Sequence, residues 1–439
     1  MQQKISQKLA VNNWMNEHGA RFAVTRQGIR SVNHNPYDPI PRILSAEEFT
    51  YIEQGLIQRI NAINLFLNDI YQARMILRDG VIPEEFIYSS PDFHPQCMNI
   101  APPKNIYTHV TATDLVRSKD GHWYVMEDCI SMPDGITYPH FARKICRETF
   151  PEAFEISGLC DNCGLDILLK ALYHDILDHD PILDGGLVVL LGEGEESLAA
   201  FELRYIAELT GAVVADPTRL IVMDNRVYYR APEGGFKKVS ILHRLVPDRK
   251  LDPLCFDMDT EFGIPHLMEV YASGNIAIIN APGCSVAEDQ GLSAMVPLMI
   301  RYYLDEDPIL PMVPTYLPWY SDQMHYIEDH FNNLVIKEVA SDRRHGAVYP
   351  SKLSEEKRSE LLNQLRLNPR YYIAQEVIEV EELPVLSGAE TTLARCDFRA
   401  YTVHSDSLRV WMGGLTRFTV KNPDGSPMSG FKDTLVMSK

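Results

Sequence analysis

Leu334-Val335-Ile336-Lys337-Glu338-Val339 is the stretch on which the reading of this 439-residue chain turns. It reads as a strand carrying one Lys, and the polar turn Ser341-Asp342-Arg343-Arg344-His345-Gly346 follows it. After one intervening helix comes a second strand-like run, Tyr371-Tyr372-Ile373-Ala374-Gln375-Glu376. Such an arrangement suits a nucleotide: Lys337 reaches one phosphate, the turn covers the others, and the edge of the second strand pairs with the base. Far upstream, Asp114 in Thr113-Asp114-Leu115-Val116-Arg117 and Glu127 in Val125-Met126-Glu127-Asp128 offer carboxylates to a hard cation. Carboxylates together with a phosphate-facing Lys predict magnesium–nucleotide chemistry.

Working outward, the chain alternates helix and strand in the α/β manner. Ser45 with Glu48 three residues on forms a capping box for a long helix, with Phe49, Ile52, Leu56, Ile60 and Ile63 on one stripe and an end expected near Asp79-Gly80. That helix is core packing. Between about 100 and 128, two strand-like runs flank the turn Ser118-Lys119-Asp120-Gly121, a hairpin that brings Asp114 and Glu127 together. Close carboxylates repel unless a cation or proton lies between them. The plainer alternative is two ordinary exposed hairpin acids.

From 164 to about 310 the pattern is strand, turn and helix. Leu187-Val188-Val189-Leu190-Leu191 runs into Gly192-Glu193-Gly194-Glu195-Glu196-Ser197, and a helix follows through Leu209. Three Glu stand where a dinucleotide phosphate would have to sit, and acids at a helix N-terminus follow from the macrodipole alone, so no dinucleotide site is expected here. After a Pro-rich linker near 311 come a helix near 321–333, the Lys337 strand, a helix opening at Ser354, and strands over 396–403 and 408–420. There is no internal repeat or low-complexity tract.

Composition narrows the partners. The formal net charge of −19 argues against nucleic acid and against an anionic membrane surface. Apolar runs such as Leu187 to Leu191 are too short to span a bilayer, and the first residues show no signal-like apolar region, so a soluble cytoplasmic protein is expected. Eight Cys are too few and scattered for a disulfide scaffold, and Cys160-Asp161-Asn162-Cys163 lacks a second pair at zinc-like spacing. Free thiols are expected. His109, His140, His243 and His345 lie near the site segments without a second His or Cys at ligand spacing, so they read as ordinary imidazoles.

Over nearly its whole length the chain resembles the circularly permuted ATP-grasp family related to glutathionylspermidine synthetase. The resemblance is carried by Asp38-Pro39-Ile40-Pro41-Arg42-Ile43, by Leu77 to Pro83, by the block from Asp114 to Tyr138, and by Leu251-Asp252-Pro253-Leu254 and Asn280-Ala281-Pro282-Gly283. It continues through Met299 to Leu304, Tyr372 to Glu376, Gly413-Gly414-Leu415-Thr416-Arg417 and Lys432-Asp433-Thr434. It implies an α/β, circularly permuted ATP-grasp fold with an inserted small α/β domain like the one that precedes ATP-grasp halves in unpermuted relatives. The expected division is 1–160 for a helical segment plus the metal-binding half, 161–310 for the inserted domain, and 311–439 for the Lys-bearing half.

The resemblance also implies roles. Asp114 and Glu127 match magnesium acids, Lys337 matches a nucleotide-phosphate Lys, and Gln375, Glu376 and Val377 match the adenine-side hinge. Arg399 and Arg417 match basic residues that face phosphate or a substrate carboxylate, and Lys432 matches a late active-site Lys. The implied cofactors are ATP and Mg2+. The implied reaction joins a small-molecule or peptide-like carboxylate to an amine through an acyl-phosphate.

Several positions depart from the family. Cys129 stands where Asn is usual, Ser131 for Arg, Asp134 for Ser and Gln290 for a second phosphate Lys. Ser341, Asp342, Arg343 and Arg344 replace most of the glycines of the phosphate turn, and the two Arg offer another way to hold phosphate. Two readings stay open: a carboxylate–amine ligase, and a catalytically weakened relative acting as a binding or regulatory partner of another protein.

Overall fold

The computed structural model describes residues 2–26, 29–33, 36–149, 151–154, 159, 164–260, 262–339, 346–388, 390–421 and 427–438. Besides a two-stranded ribbon of Phe22–Arg26 and Ile29–Asn33, three sheets organise them. In the largest, Tyr37–Leu44, Pro427–Val436, Leu415–Lys421, Glu390–His404, Val110–Arg117 and Trp123–Cys129 lie side by side in that order. Glu382–Ser387 and Leu408–Val410 pair with the long Glu390–His404 strand as well. Early and late segments thus share one sheet, Asp38 opposite Lys432 and Asp114 opposite Arg399.

The second sheet sets Val213–Ala215, Leu187–Leu191, the end of Phe236–Arg244 and Ala277–Ile279 in parallel. Its Val189, Leu190 and Leu191 are buried, as a parallel strand covered on both faces requires. The expected helix follows as Ala200–Thr210. Asn280, just beyond the last parallel strand, ties this sheet to the first. Its side-chain oxygen accepts from the N–H groups of His109 and Val110 at 2.7 and 2.9 Å, and its amide donates to the carbonyls of Val110 and Ile130.

The long helix is Ala46–Tyr71, with both hydrogen bonds of the Ser45–Glu48 capping box in place and the expected stripe buried. It stops well short of Asp79. The Asp69 carboxylate collects the N–H groups of Met75 and Ile76 at 2.8 Å each, and Arg74 adopts a left-handed φ of 59°, so a separate turn Met75–Arg78 begins there. The predicted hairpin also forms: Gly121, at φ 92°, donates to Ser118 O across the turn between Val110–Arg117 and Trp123–Cys129.

The third sheet is a small lobe of Thr315–Tyr316, Tyr372–Glu376 and Leu334–Glu338, packed on its own core of Ile327, Phe331, Leu334, Ile336, Leu365 and Ala374. Here one expectation is corrected. Tyr372–Glu376 is the central strand, because Thr315–Tyr316 covers the edge left open in the sequence reading. A buried clamp fastens this lobe to the rest: Arg370 donates to Asp289 at 2.7 Å, to Phe86 O at 2.7 Å and to Ser89 Oγ at 3.0 Å. Among the described residues no helix is long and apolar enough to cross a membrane.

Candidate active site

Strand register builds the centre of the site. Arg417 lies opposite Asp397, Arg399 opposite Asp114, and Asp114 opposite Glu127. Directly opposed residues share a face, and Asp397 and Arg399, two apart on one strand, share it too. The five therefore form one charged row across four neighbouring strands. An irregularity in register between Asp114 and Leu115 leaves Met126 as the extra residue beside Glu127. On the opposite face Asp128 is buried and holds Arg59 of the long helix through Nε and Nη2, at 2.6–3.0 Å, which anchors the acid-bearing strand.

Within the row most charges are mutually bonded. Asp114 receives Arg399 Nε at 2.7 Å on Oδ1, and Arg399 Nη2 at 2.9 Å with Arg417 Nη2 at 2.7 Å on Oδ2. Arg417 Nε also reaches Asp397 at 2.8 Å, and Arg399 Nη1 binds the exposed Asp134. Burial alone would raise the Asp114 carboxyl, but Arg399 and Arg417 hold it well below the usual carboxylate range. Gly414, at φ 154°, lies so close to the Phe398 ring and Arg399 O that a Cβ there would meet them at 2.3 and 2.7 Å, so the backbone beside Arg399 needs glycine.

Glu127 and Lys337 behave differently. Neither side chain makes a hydrogen bond or ion pair among the described residues, yet each feels the other's charge. Burial followed by the neighbouring Asp114 raises the Glu127 carboxyl, with Lys337 opposing; burial lowers the Lys337 ammonium, with Glu127 opposing. The Glu127 side chain keeps an opening to solvent although protein surrounds it on most sides.

Beside the row opens a cleft of about 400 Å³, lined in part by Arg21, Asp134, Glu202, Asp397, Arg399 and Arg417. The Arg21 guanidinium and Arg417 Nη1 make no ion pair or hydrogen bond among the described residues, so both remain available there. Glu202 shapes the wall by accepting Gly135 N at 2.9 Å. Burial, then the charge of Asp134, pushes its carboxyl up to about 7. Glu288 does the same for the next loop, accepting Ile130 N at 2.6 Å and Ser131 N at 2.7 Å, and burial brings it too to about 7. Glu202, Glu288, Asp397 and Arg21 escaped the sequence reading. The one available signal was Asp397, two residues before Arg399 on a predicted strand.

The remaining predicted residues divide. Gln375 donates to Thr315 Oγ1 at 2.9 Å, Glu376 accepts from Tyr316 and Tyr326 hydroxyls at 2.9 and 3.2 Å, and Val377 is exposed beyond them. Lys432 does not reach the cleft: fully buried, it pairs with Asp38 at 3.3 Å and donates to Pro384 O, because its strand turns it into the sheet's interior. Arg343, Arg344 and His345 of the phosphate turn lie outside the described residues, as do Cys160 and Cys163. The His109 and His243 imidazoles are buried and neutral, burial lowering them to about 3 and about 4, and His243 and His140 bond Tyr173 and Tyr205.

A magnesium cradle is not what these residues make. The oxygens of Asp114 are occupied by guanidinium donors, burial keeps the Cys129 thiol protonated, and a thiol is a poor ligand for a hard cation. Among the described residues no group of three or more His, Cys, Asp and Glu is placed to hold a metal. The side-chain oxygen of Gln290 is buried without a hydrogen-bond partner among the described residues. The open donors of Arg21 and Arg417 in the cleft suit a charged organic ligand.

Comparison with known proteins agrees with this architecture. The family described as circularly permuted ATP-grasp type 2 matches residues 41–419. An uncharacterized protein of Synechocystis sp. is 36% identical over 408 residues, covering 92% of this chain and 84% of its own length. A Frankia casuarinae protein provisionally named glutamate–cysteine ligase 2-2 is 30% identical over 407 residues, 91% of this chain but 47% of its own length. Among solved structures, a glutathione synthetase-like effector from Globodera pallida superposes with a TM-score of 0.59 at 12% identity, covering 98% of this chain and 96% of its own, which is a likeness of fold.

Proposed function

The chain belongs to the circularly permuted ATP-grasp type 2 family, and on that footing we propose that it is an ATP-dependent carboxylate–amine ligase. The observation that carries the reading is the cleft walled by Arg399 and Arg417, with Glu127 and Lys337 lying within electrostatic range of each other. In this reading Lys337 binds a nucleotide phosphate, with the hinge at Gln375, Glu376 and Val377 beside the base. Arg417 Nη1 and Arg21 receive a substrate carboxylate. One carboxylate oxygen attacks the γ-phosphorus as the bond to ADP breaks. An amine nitrogen then attacks the acyl carbon, phosphate leaves with the electron pair of the broken C–O bond, and the amine gives up its proton. The side chains supply position and charge neutralisation, which is the main demand of phosphoryl transfer. The ligase name of the Frankia relative supports an amino-acid or peptide-like pair of substrates.

The test is nucleotide titration by calorimetry, then ADP release with amino-acid and amine panels. Binding of ATP or ADP that Lys337→Met weakens at least tenfold supports the reading; no nucleotide binding to the native chain sinks it.

A second reading, a catalytically weakened relative acting on a partner protein, is favoured by the occupied Asp114, the Cys129 thiol and the orphaned Gln290 oxygen. It predicts slow turnover by the native chain and tighter ATP binding in the Cys129→Asn, Gln290→Lys double variant. Rapid turnover by the unmodified protein alone would refute it.

A further inference from the structure

We infer that Asp114 serves as the shared counter-ion of Arg399 and Arg417, and that this cleft holds no divalent cation on the Asp114–Glu127 pair. The inference stands apart from the ligase reading, since it concerns what the acid binds whatever the cleft does.

The geometry is specific. A planar carboxylate meets the Arg399 guanidinium through two parallel bonds, Nε to Oδ1 at 2.7 Å and Nη2 to Oδ2 at 2.9 Å, the fork-to-fork pairing of the strongest charge-assisted contacts. Arg417 Nη2 then takes Oδ2 from a second direction at 2.7 Å. A hard cation would have to displace at least one of these donors and stand beside two buried guanidinium charges. Register locks the arrangement from both sides. Arg399 is directly opposite Asp114, and Arg417 is held twice, by Asp114 and by its opposite residue Asp397 at 2.8 and 3.1 Å. With Asp114 taken, a cation keeps only Glu127 from the pair, and the third position of that strand end is a thiol. What Asp114 does instead is aim two guanidinium groups along the wall of the cleft, leaving Arg417 Nη1 open to an anion.

The two roles predict opposite signs. An acid held beside Glu127 for a cation is under like-charge repulsion in the metal-free protein, so its neutralisation raises thermal stability. A counter-ion buried between two Arg leaves both unpaired when neutralised. We expect Asp114→Asn to lower the melting temperature of the full chain by about 5 °C. Adding Arg417→Met should recover part of that loss, a coupling that mere loss of packing would not produce. Mn2+ titrated into the wild-type chain and followed by electron paramagnetic resonance should show no stoichiometric sub-millimolar site, and this measurement decides the matter even if Asp114→Asn fails to fold. A raised or unchanged melting temperature in Asp114→Asn, or a Mn2+ site that Glu127→Gln abolishes, overturns the inference.

Discussion

Along the eight-stranded sheet Asp114, Asp397, Arg399 and Arg417 bind one another, while the side chains of Glu127 on the same sheet and of Lys337 on the small lobe bind nothing among the described residues. Resemblance to the family marks both sets alike. Physical context separates them: a matched residue whose hydrogen-bonding capacity is exhausted supports the site, and one whose capacity is unmet is held ready for a ligand.

The contrast can be broken first on the bonded side. Arg370→Ala strands Asp289 in the interior and releases the small lobe, and should cost about 3–5 kcal/mol in urea denaturation. A cost near that of a surface change would mean the lobe is held by other contacts. Next, Glu202→Gln should flatten a pH dependence. Because the folded carboxyl titrates near 7, above its unfolded value, its contribution is fully present at low pH and is lost as pH rises through about 7. Wild type should therefore lose up to about 3 kcal/mol relative to the variant between roughly pH 4.5 and 7, read from denaturation midpoints across that range. Parallel curves would show that Glu202 contributes nothing to the pH dependence.

On the open side, Lys337→Met should weaken nucleotide binding by about 1.5–3 kcal/mol, roughly 10- to 150-fold, with no loss of melting temperature, because an unpaired ammonium leaves a sheltered place. A large loss of stability instead would make Lys337 structural. The smallest effect belongs to Glu127→Gln, which should raise stability by roughly 0.5 kcal/mol by relieving repulsion with Asp114. Calorimetric melting checks it, and a fall would show Glu127 to be bonded after all.

Much of this was legible in sequence. The capping box at Ser45, the Ser118–Gly121 hairpin, the adjacency of Asp114 and Glu127 and the helix after Leu191 all follow from local rules, and all are present. What escaped depends on pairings between distant segments. Nothing near Asp114 announces that Arg399, 285 residues away, lies opposite it. The two-residue strand Thr315–Tyr316 is too short to leave a periodic signal, so the central place of Tyr372–Glu376 was hidden. Lys432 shows the same limit, since whether a strand lysine faces a cleft or the interior is settled by the sheet it joins.

The parallel pairing of Tyr37–Leu44 with Pro427–Val436 has a consequence in time. Asp38 and Lys432 meet although they lie far apart in sequence, so the sheet that bears Asp114 and Arg399 cannot close until Pro427–Val436 has been synthesised. The middle sheet, whose strands lie between 187 and 279, can form long before that. During synthesis the acid hairpin must therefore wait with open edges beside a finished neighbour. That interval is when this chain is most exposed to mispairing, and when a chaperone would have the most to hold.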